Sequence, residues 1–470
     1  METVESKKVS LIHYFIVLIL CFGFRFLPPF AGITELGMGV LGAFLGAIWG
    51  WVFIDLAWPS FMAITATGLS CGMSSVITGC FGNETFLIML IAMLAIGPAI
   101  HYGAFTWLAM KILNAKALEG KGFLMIFTIF VVAWLLAGAN PLLVAIVVFN
   151  FTNAMFQQIG VQKNSKLAIY TYIGIAYAIM RGQILFPFYG TGIIYLNAYK
   201  AAAPNMPMDV ASYLLMMFIN GLVMTTVFVL LMKYVFRCDA SPLSNYKQEG
   251  SVPAATREQK ISLAFFVAFI VLNLLANVGP LKPFLSKFGL TGITFILGGL
   301  MVMLKDSKGR PLSNAEKMLH MNNLGLAIMI GYVMWLAVNF ASAATGIGGA
   351  VAKLFMPFTT LPPMVFIIVV MIIALVATNF LNNMMVAVVC LPFMINFTSL
   401  INMEPMAAVV LMFIITEFAL CTPAASPIAA LSMGQEFADT AEVMKASIPL
   451  VVILFVVFLV FSWPLANFIF

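Results

Sequence analysis

Long runs of apolar residues, separated by short polar segments, make up most of the chain. One crossing of a bilayer about 30 Å thick needs about 20 mostly apolar residues in a helix. We therefore predict an all-α polytopic membrane protein. The apolar runs of suitable length fall near residues 11–28, 34–54, 123–158, 166–198, 209–236, 261–280, 288–304, 362–400, 405–432 and 446–468.

Two of these runs, 123–158 and 362–400, are too long for one straight crossing and carry polar residues midway. We expect each to be a transmembrane helix that breaks inside the membrane. Two further apolar segments, about 84–113 and 320–356, have glycine and other small residues at their centres. Each is expected to be a re-entrant hairpin of two half-length helices, and a pair of ordinary bent spans is the alternative.

The two halves of the chain repeat one spacing. Gly103 in the first hairpin precedes Asn140 by 37 residues, and Gly346 in the second precedes Asn383 by 37 residues. A hairpin and a broken helix in each half are typical of inverted repeats with a binding site at the membrane midplane. We predict four parts: an N-terminal helix at 1–32, repeat 1 at 33–236, a cytoplasmic linker at 237–260 and repeat 2 at 261–470.

Composition supports a lipid environment, since 63% of the 470 residues are hydrophobic and 9% are charged, against about 25% charged in soluble domains. The net charge of +6 lies in short loops, which does not indicate nucleic acid binding. Basic residues in such loops favour the cytoplasmic side. We therefore predict a multi-pass protein of the plasma (inner) membrane with a cytoplasmic N-terminus. The basic residues are Lys7 and Lys8, then Arg237, Lys247, Arg257 and Lys260 in the linker, then Lys305, Lys308, Arg310 and Lys317.

Polar groups within the two predicted breaks are the first candidates for binding. Pro141 follows Asn140, lacks an N–H and opens the helix, so carbonyl groups and the Asn140 amide become available to a ligand or cation. The second break, Ala377 to Asn383, holds three amides and a hydroxyl among apolar residues. Helices that restart after a break direct positive dipole ends inward, which favours an anion. The alternative is that these amides only join neighbouring helices.

Several segments resemble the divalent anion:sodium symporter family of the ion transporter superfamily. They are ETFLIMLIAMLAIGPAIHYGAFTWLAMKIL, WLLAGANPLLVAIVVF, IIALVATNFLNNMMVAVVCLPFM and TPAASPIAALSMG, the last with Pro423, Ser426, Pro427 and Gly434 on motif positions. The resemblance implies a homodimeric elevator-type carrier of dicarboxylates, citrate or sulfate that is driven by sodium. The chain departs from the family where Ser-Asn-Thr becomes Ala139-Asn140-Pro141 and Asn382-Asn383-Met384. The loss of these hydroxyls leaves the coupling ion open between Na⁺ and H⁺.

Arg181 and Glu417 are the two ionisable residues set most deeply in apolar sequence. Such residues are paired, hydrated or neutralised. Arg181 could grip a substrate carboxylate, and snorkelling or a structural ion pair is the alternative. Glu417 could carry a proton, and a structural pair with a basic group is the alternative.

The candidate residues form two sets, and no cofactor is expected. The candidate substrate-binding residues are Asn140, Arg181, Asn382, Asn383, Ser426 and Pro427. The candidate ion-coupling residues are Ala139, Asn140, Gly182, Thr378, Asn379, Asn383, Glu417 and Ala425.

The pattern therefore predicts a secondary active transporter of small anions. A catalytic constellation is lacking, since the three histidines lie near no GxSxG or HExxH pattern, and so we do not expect an enzyme. A cation:proton antiporter or another organic-acid carrier of the superfamily is the alternative. A channel is a further one, because conduction pathways also use broken helices.

Overall fold

The computed structural model describes residues 10–188, 190–203, 206, 208–246, 252–316, 324–340, 342–357, 362–401 and 403–470. Lys7, Lys8, Lys247, Lys317 and the first residues of the predicted hairpin at 320–356 lie outside this part. Within it the regular structure is helical, apart from one isolated β-bridge between Lys305 and Pro311. The prediction of an all-α protein is confirmed.

We number the α-helices in chain order. They are α1 Leu11–Leu18, α2 Glu35–Phe53, α3 Ala57–Cys71, α4 Met73–Phe81, α5 Glu84–His101, α6 Ala104–Leu113, α7 Gly122–Ala137, α8 Pro141–Gln158, α9 Lys166–Gly182, α10 Gly190–Ala202, α11 Val210–Leu230, α12 Arg257–Asn277, α13 Lys282–Leu285, α14 Gly289–Met303, α15 Leu324–Phe340, α16 Ile347–Phe355, α17 Pro363–Thr378, α18 Asn383–Leu400, α19 Met406–Thr416, α20 Pro427–Met433, α21 Thr440–Val457 and α22 Trp463–Ile469.

Five helical segments of the described chain are long and apolar enough to cross a membrane. Two of them are lengthened by a π-helical turn: Leu231–Val235 extends α11, and Phe458–Ser462 joins α21 to α22. The five segments are Glu35–Phe53, Pro141–Gln158, Val210–Val235, Arg257–Asn277 and Thr440–Ile469.

The predicted hairpin at 84–113 consists of two helices of unequal length. α5 has 18 residues and α6 has 10, and Gly103 between them has φ +66°. Gly346 has φ +67° and directly precedes α16. Because α5 alone is nearly long enough for a crossing, this pair differs from the expected two half-length helices.

The run 123–158 is interrupted at residues 138–140, but it doubles back and is not a single broken span. Gly122 at the start of α7 packs against Ala240 and Leu243. The ring of Phe151 in α8 lies 6.1 Å from that of Tyr246. Both ends of the pair therefore face the segment Ser241–Tyr246, and we call that side of the fold the linker side.

The run 362–400 also forms a helical hairpin. α17 and α18 are separated by residues 379–382, and the ring of Phe366 stacks on that of Phe397 at 3.5 Å between centroids. Contact between the outer parts of the two helices requires them to run antiparallel. This differs in the same way from the single broken helix that the sequence predicts.

The runs 166–198 and 405–432, each predicted as a continuous span, are also interrupted. Unlike the two hairpins, each continues to the other side of the fold after its interruption. α9 begins on the linker side, where the Lys166 ammonium donates to the carbonyl of Phe236 at 3.1 Å. It ends at Gly182, and α10 begins at Gly190. The helix from Val210 to Val235 then returns to the linker, so α10 ends on the opposite face, which we call the far side.

α19 and α20 form the second interrupted span. The ring of Tyr195 in α10 stacks on that of Phe413 at 4.5 Å, which places α19 beside α10. After α20, Gln435 accepts a hydrogen bond from Asn153 of α8 at 2.9 Å. The span therefore ends on the linker side, and residues 417–426 separate its two helices.

Candidate functional site

The four interruptions, at residues 138–140, 183–188, 379–382 and 417–426, meet in the interior of the fold. We call this region the central site. The first two interruptions meet through glycine: a side chain at Gly138 would collide with the ring of Phe186, and one at Gly182 would collide with the carbonyl of Trp134. Only glycine permits this approach of one backbone to the other.

Asn379 fastens the third interruption to the fourth. Its amide nitrogen donates to the carbonyls of Leu375 at 2.8 Å and Phe418 at 3.2 Å. Its oxygen accepts from the backbone N–H groups of Leu420 at 2.9 Å and Cys421 at 2.7 Å. These bonds satisfy backbone groups that the broken helix leaves unpaired in an apolar interior, as a membrane protein requires.

Two hydroxyl groups complete this connection. Thr378 donates to the carbonyl of Thr416 at 2.6 Å, and Thr422 donates to the carbonyl of Asn379. Thr378 and Asn379 are predicted as ion-coupling residues, but these polar atoms form hydrogen bonds that hold the third and fourth interruptions together. In this arrangement they position the neighbouring Glu417.

Glu417 lies at the centre of the site and is fully buried. Its carboxylate accepts hydrogen bonds from Gln183 Nε2 at 2.5 Å, Asn383 Nδ2 at 2.7 Å and the Tyr195 hydroxyl at 2.9 Å. The Tyr195 hydroxyl also lies 3.3 Å from the hydroxyl of Thr416. A single carboxylate thus joins the second, third and fourth interruptions.

Arg181 is the second charged residue of the site and is 4% exposed. Its guanidinium donates to the Tyr177 hydroxyl at 3.1 Å and to the side-chain oxygen of Asn220. It also lies over the rings of Tyr177 at 5.7 Å and Phe418 at 6.0 Å. In the described chain no ion pair within 4.0 Å includes Arg181. The structural ion pair that was the alternative role for Arg181 is therefore absent among the described residues.

Asn220 in turn is held from the other side. Its amide nitrogen donates to the Ser462 hydroxyl at 2.5 Å, and both residues are fully buried. Ser462 ends the π-helical turn between α21 and α22. The carboxamide of Asn220 is thereby oriented with its oxygen towards Arg181, which gives the cation a neutral partner.

Asn140 and Ser426 cap the helices that restart after an interruption. Asn140 accepts from the N–H of Leu143 at 2.9 Å, and Ser426 accepts from the N–H of Ala429 at 3.0 Å. Each is followed by a proline at the first helical position, Pro141 and Pro427. An oxygen-bearing cap followed by proline is a favoured helix start.

The predicted residues divide between the core of the site and its margin. No hydrogen bond joins Asn140 to Asn383 within the described ranges: Asn383 donates to Glu417, and the interruption that contains Asn140 meets Phe186 through Gly138. The side chain of Asn382 is exposed, while Ala139 and Ala425 are buried inside two of the interruptions. Asn383 contacts Glu417 directly, whereas Thr378, Asn379 and Ser426 contact neighbours of Glu417 or Arg181, and Gly182 adjoins Arg181 in the chain.

Gln183, Tyr195, Tyr177 and Asn220 belong to the site but are not predicted from the sequence. Asn220 stands alone in an apolar helix, and the rule that identifies Glu417 would also identify it. Gln183 lies two residues from Arg181 in an apolar run. Tyr195 and Tyr177 carry no comparable mark, because aromatic residues are common throughout this chain.

The fold is similar to those of solved transporter structures. No family model and no curated protein matches the sequence. The YdaH transporter of Alcanivorax borkumensis matches with a TM-score of 0.58 and 15% identity, over 85% of this chain and 90% of that one. MtrF of Neisseria gonorrhoeae, described with a class of antimetabolite efflux pumps, matches with a TM-score of 0.56 and 16% identity, over 85% of each chain.

The chain has a membrane-transporter fold. Together with the long apolar helices, this makes it an integral membrane protein. Both similar proteins are named as a transporter or an efflux pump, which agrees with the prediction that this chain is not an enzyme. Neither is named as a divalent anion:sodium symporter, and so membership of that family stays a prediction.

Proposed function

We propose that the chain is a secondary active transporter of small anions of the dicarboxylate, citrate or sulfate class. The observation that carries this proposal is the guanidinium of Arg181, buried where the four interruptions meet and hydrogen-bonded only to neutral groups. Glu417 is near enough to interact with this charge electrostatically but forms no direct ion pair with it, so a visiting anion would supply the direct partner that a buried cation favours. Carboxylate and sulfate oxygens match the fork of donors that arginine presents.

The directions of the helices support alternating access. The α7–α8 hairpin opens to the linker side, while α9–α10 and α19–α20 cross the fold in opposite senses. These directions support the proposal of two inverted repeats with the binding residues at their interface. We propose that the hairpins and interrupted spans move together with the substrate in an elevator motion, in a homodimer of the plasma (inner) membrane with a cytoplasmic N-terminus.

Glu417 is the proposed carrier of a coupling proton. All three of its partners can donate to an ionised carboxylate. A proton arriving on the oxygen near Tyr195 would require that hydroxyl to turn, accept from the acid and donate to Thr416 instead. Na⁺ is the alternative coupling ion, and would need oxygen ligands that Thr378 and Asn379 now use elsewhere.

Uptake into proteoliposomes tests both parts of the proposal. We expect saturable uptake of labelled succinate, citrate or sulfate, stimulated by an inward proton gradient. Glu417→Gln should keep binding and exchange of the anion but lose the stimulation. Glu404→Gln, an exposed acid just before α19, is the matched control and should behave like the parent. Full stimulation in Glu417→Gln, or stimulation by a sodium gradient alone, would contradict proton coupling.

Export is a second candidate direction for the same carrier. The similarity to MtrF, which is described with antimetabolite efflux pumps, favours it. The same proteoliposomes can be preloaded with labelled anion and the imposed proton gradient reversed. Comparing the rate of release with the rate of uptake then distinguishes export from uptake.

A further inference from the structure

A cleft of about 510 Å³ opens beside the outer part of α10 and is separate from the central site. Its volume falls within the range of about 300–1,000 Å³ that is usual for small-molecule sites. Helix α10 contributes Asn197 and Lys200, the start of α5 contributes Asn83, and the end of α15 contributes Trp335 and Asn339.

Two of the polar side chains in this cleft are engaged by the local backbone. Asn83 donates to the carbonyls of Gly79 and Cys80 at 3.1 and 2.6 Å and accepts from the N–H of Phe86 at 2.9 Å. The amide nitrogen of Asn339 donates to the carbonyl of Trp335 at 2.8 Å. These bonds fix the walls of the cleft.

Lys200 and Asn197 are the two polar side chains that α10 contributes to the cleft. Lys200 is exposed, and in the part of the chain that the structure describes it has no ion pair within 4.0 Å. The cleft therefore presents a single ammonium group, with the Asn197 amide as a second possible donor on the same helix. A cation that forms no ion pair, in a cleft that also offers amide groups, suits a small anion.

Helix α10 connects this cleft to the central site. Tyr195, which donates to Glu417, lies only five residues before Lys200. At a rise of about 1.5 Å per residue, Lys200 is about 8 Å farther along the helix axis. Positions 195 and 200 are about 140° apart around a helix of 3.6 residues per turn, so the cleft lies on another face of α10 and farther towards the far side than Glu417.

A second cleft of about 560 Å³ lies on the linker side, between α6, α8 and Tyr246. Its polar lining consists of Asn114, Asn150 and Gln158 with the Tyr246 and Thr106 hydroxyls, and no charged residue lines it. The two clefts thus differ in charge, although basic residues such as Lys166 lie elsewhere on the linker side. A fixed cation inside a cleft raises the local anion concentration there.

We propose that the far-side cleft is a capture site for the substrate anion, in which Lys200 pairs with a carboxylate or sulfate oxygen before the anion reaches Arg181. This inference rests on the proposed anion transport. It assigns Lys200 a role in the KM for anion presented at the far side, and no role in the turnover of bound substrate.

The test compares Lys200→Gln with Lys282→Gln in proteoliposome uptake of succinate, citrate and sulfate. Lys282 is an exposed lysine after α12, which also reaches the far side, and it does not line the cleft. Lys200→Gln should raise KM roughly fivefold with unchanged maximal rate, as expected for an exposed charge pair. Lys200→Arg should stay near the parent, and Lys282→Gln should match the parent.

Ionic strength supplies a second readout. Salt screens the attraction between an exposed lysine and an anion. A higher ionic strength should therefore increase the KM of the parent towards the KM of Lys200→Gln. Equal KM values for Lys200→Gln and Lys282→Gln, with normal uptake by the parent, would overturn the capture site and leave the proposed function standing. Failure of the parent to transport any of the three anions would overturn both.

Discussion

Replacing Asn220 with aspartate should disable anion binding at Arg181 without removing the arginine. Asn220 is isosteric with aspartate, fully buried, and its oxygen already faces the guanidinium. The new carboxylate would form the ion pair that Arg181 lacks in the described chain. The substrate would then have to bind a cation that is already neutralised.

The size of the effect follows from Coulomb's law. A substrate carboxylate on the other side of the guanidinium would lie about 7 Å from the new carboxylate, where two like charges repel by about 2 kcal/mol at an effective dielectric constant of about 20. That corresponds to a rise of roughly thirtyfold in KM. The Asn220 amide nitrogen now donates to Ser462, and the serine hydroxyl would turn to donate to the new carboxylate, so the ion pair itself should not lower stability.

The assay is the concentration dependence of anion uptake in proteoliposomes, with protein monodispersity checked before reconstitution. Ser462→Ala is the matched control, since it removes the hydrogen bond that orients Asn220 but adds no charge. It should change KM only a few-fold. If Asn220→Asp transports with a KM within twofold of the parent, Arg181 does not bind the substrate and the reasoning is refuted.

Three further predictions concern the other residues of the site. Asn140→Ala and Asn383→Ala should each reduce uptake sharply while expression stays normal, because Asn140 caps a half-helix and Asn383 donates to Glu417. Uptake equal to that of the parent in both variants would show that the binding site lies elsewhere. Glu417→Gln should remove the response to a pH gradient, measured as uptake at fixed anion concentration. Asn379→Ala loses four hydrogen bonds to the interrupted backbone and should lower stability by about 3 kcal/mol, read as a fall in the thermal unfolding midpoint that Asn197→Ala does not share.

The interruptions at Asn140 and at Asn379–Asn383 could be located from the sequence. A proline or a group of amides inside an overlong apolar run indicates a break, because the backbone groups freed by a break in a membrane helix need polar partners. Whether the chain then continues or turns back could not be foreseen. That direction depends on distant contacts, such as Gly122 against Ala240 and Phe366 on Phe397, which leave no local pattern.

The interruptions within 166–198 and 405–432 had weaker marks. Pro187 and Pro423 stand inside those runs and disfavour a continuous helix, but both runs are shorter than 123–158 and 362–400 and their excess length is less evident. Arg181 and Glu417 were recognisable as buried charges. Asn220 is recognisable as a polar residue in an apolar helix, but its pairing with Arg181, like that of Tyr195 with Glu417, follows only from the packing of α10 and α11.

Counterflow tests the central claim most directly. Proteoliposomes preloaded with unlabelled succinate, citrate or sulfate are diluted into a trace of the same labelled anion, and its internal level is followed over time. A carrier with an anion site at Arg181 predicts transient accumulation above equilibrium in the parent and none in Arg181→Gln. Simple equilibration without an overshoot for all three anions, or an equal overshoot in Arg181→Gln, would contradict the account.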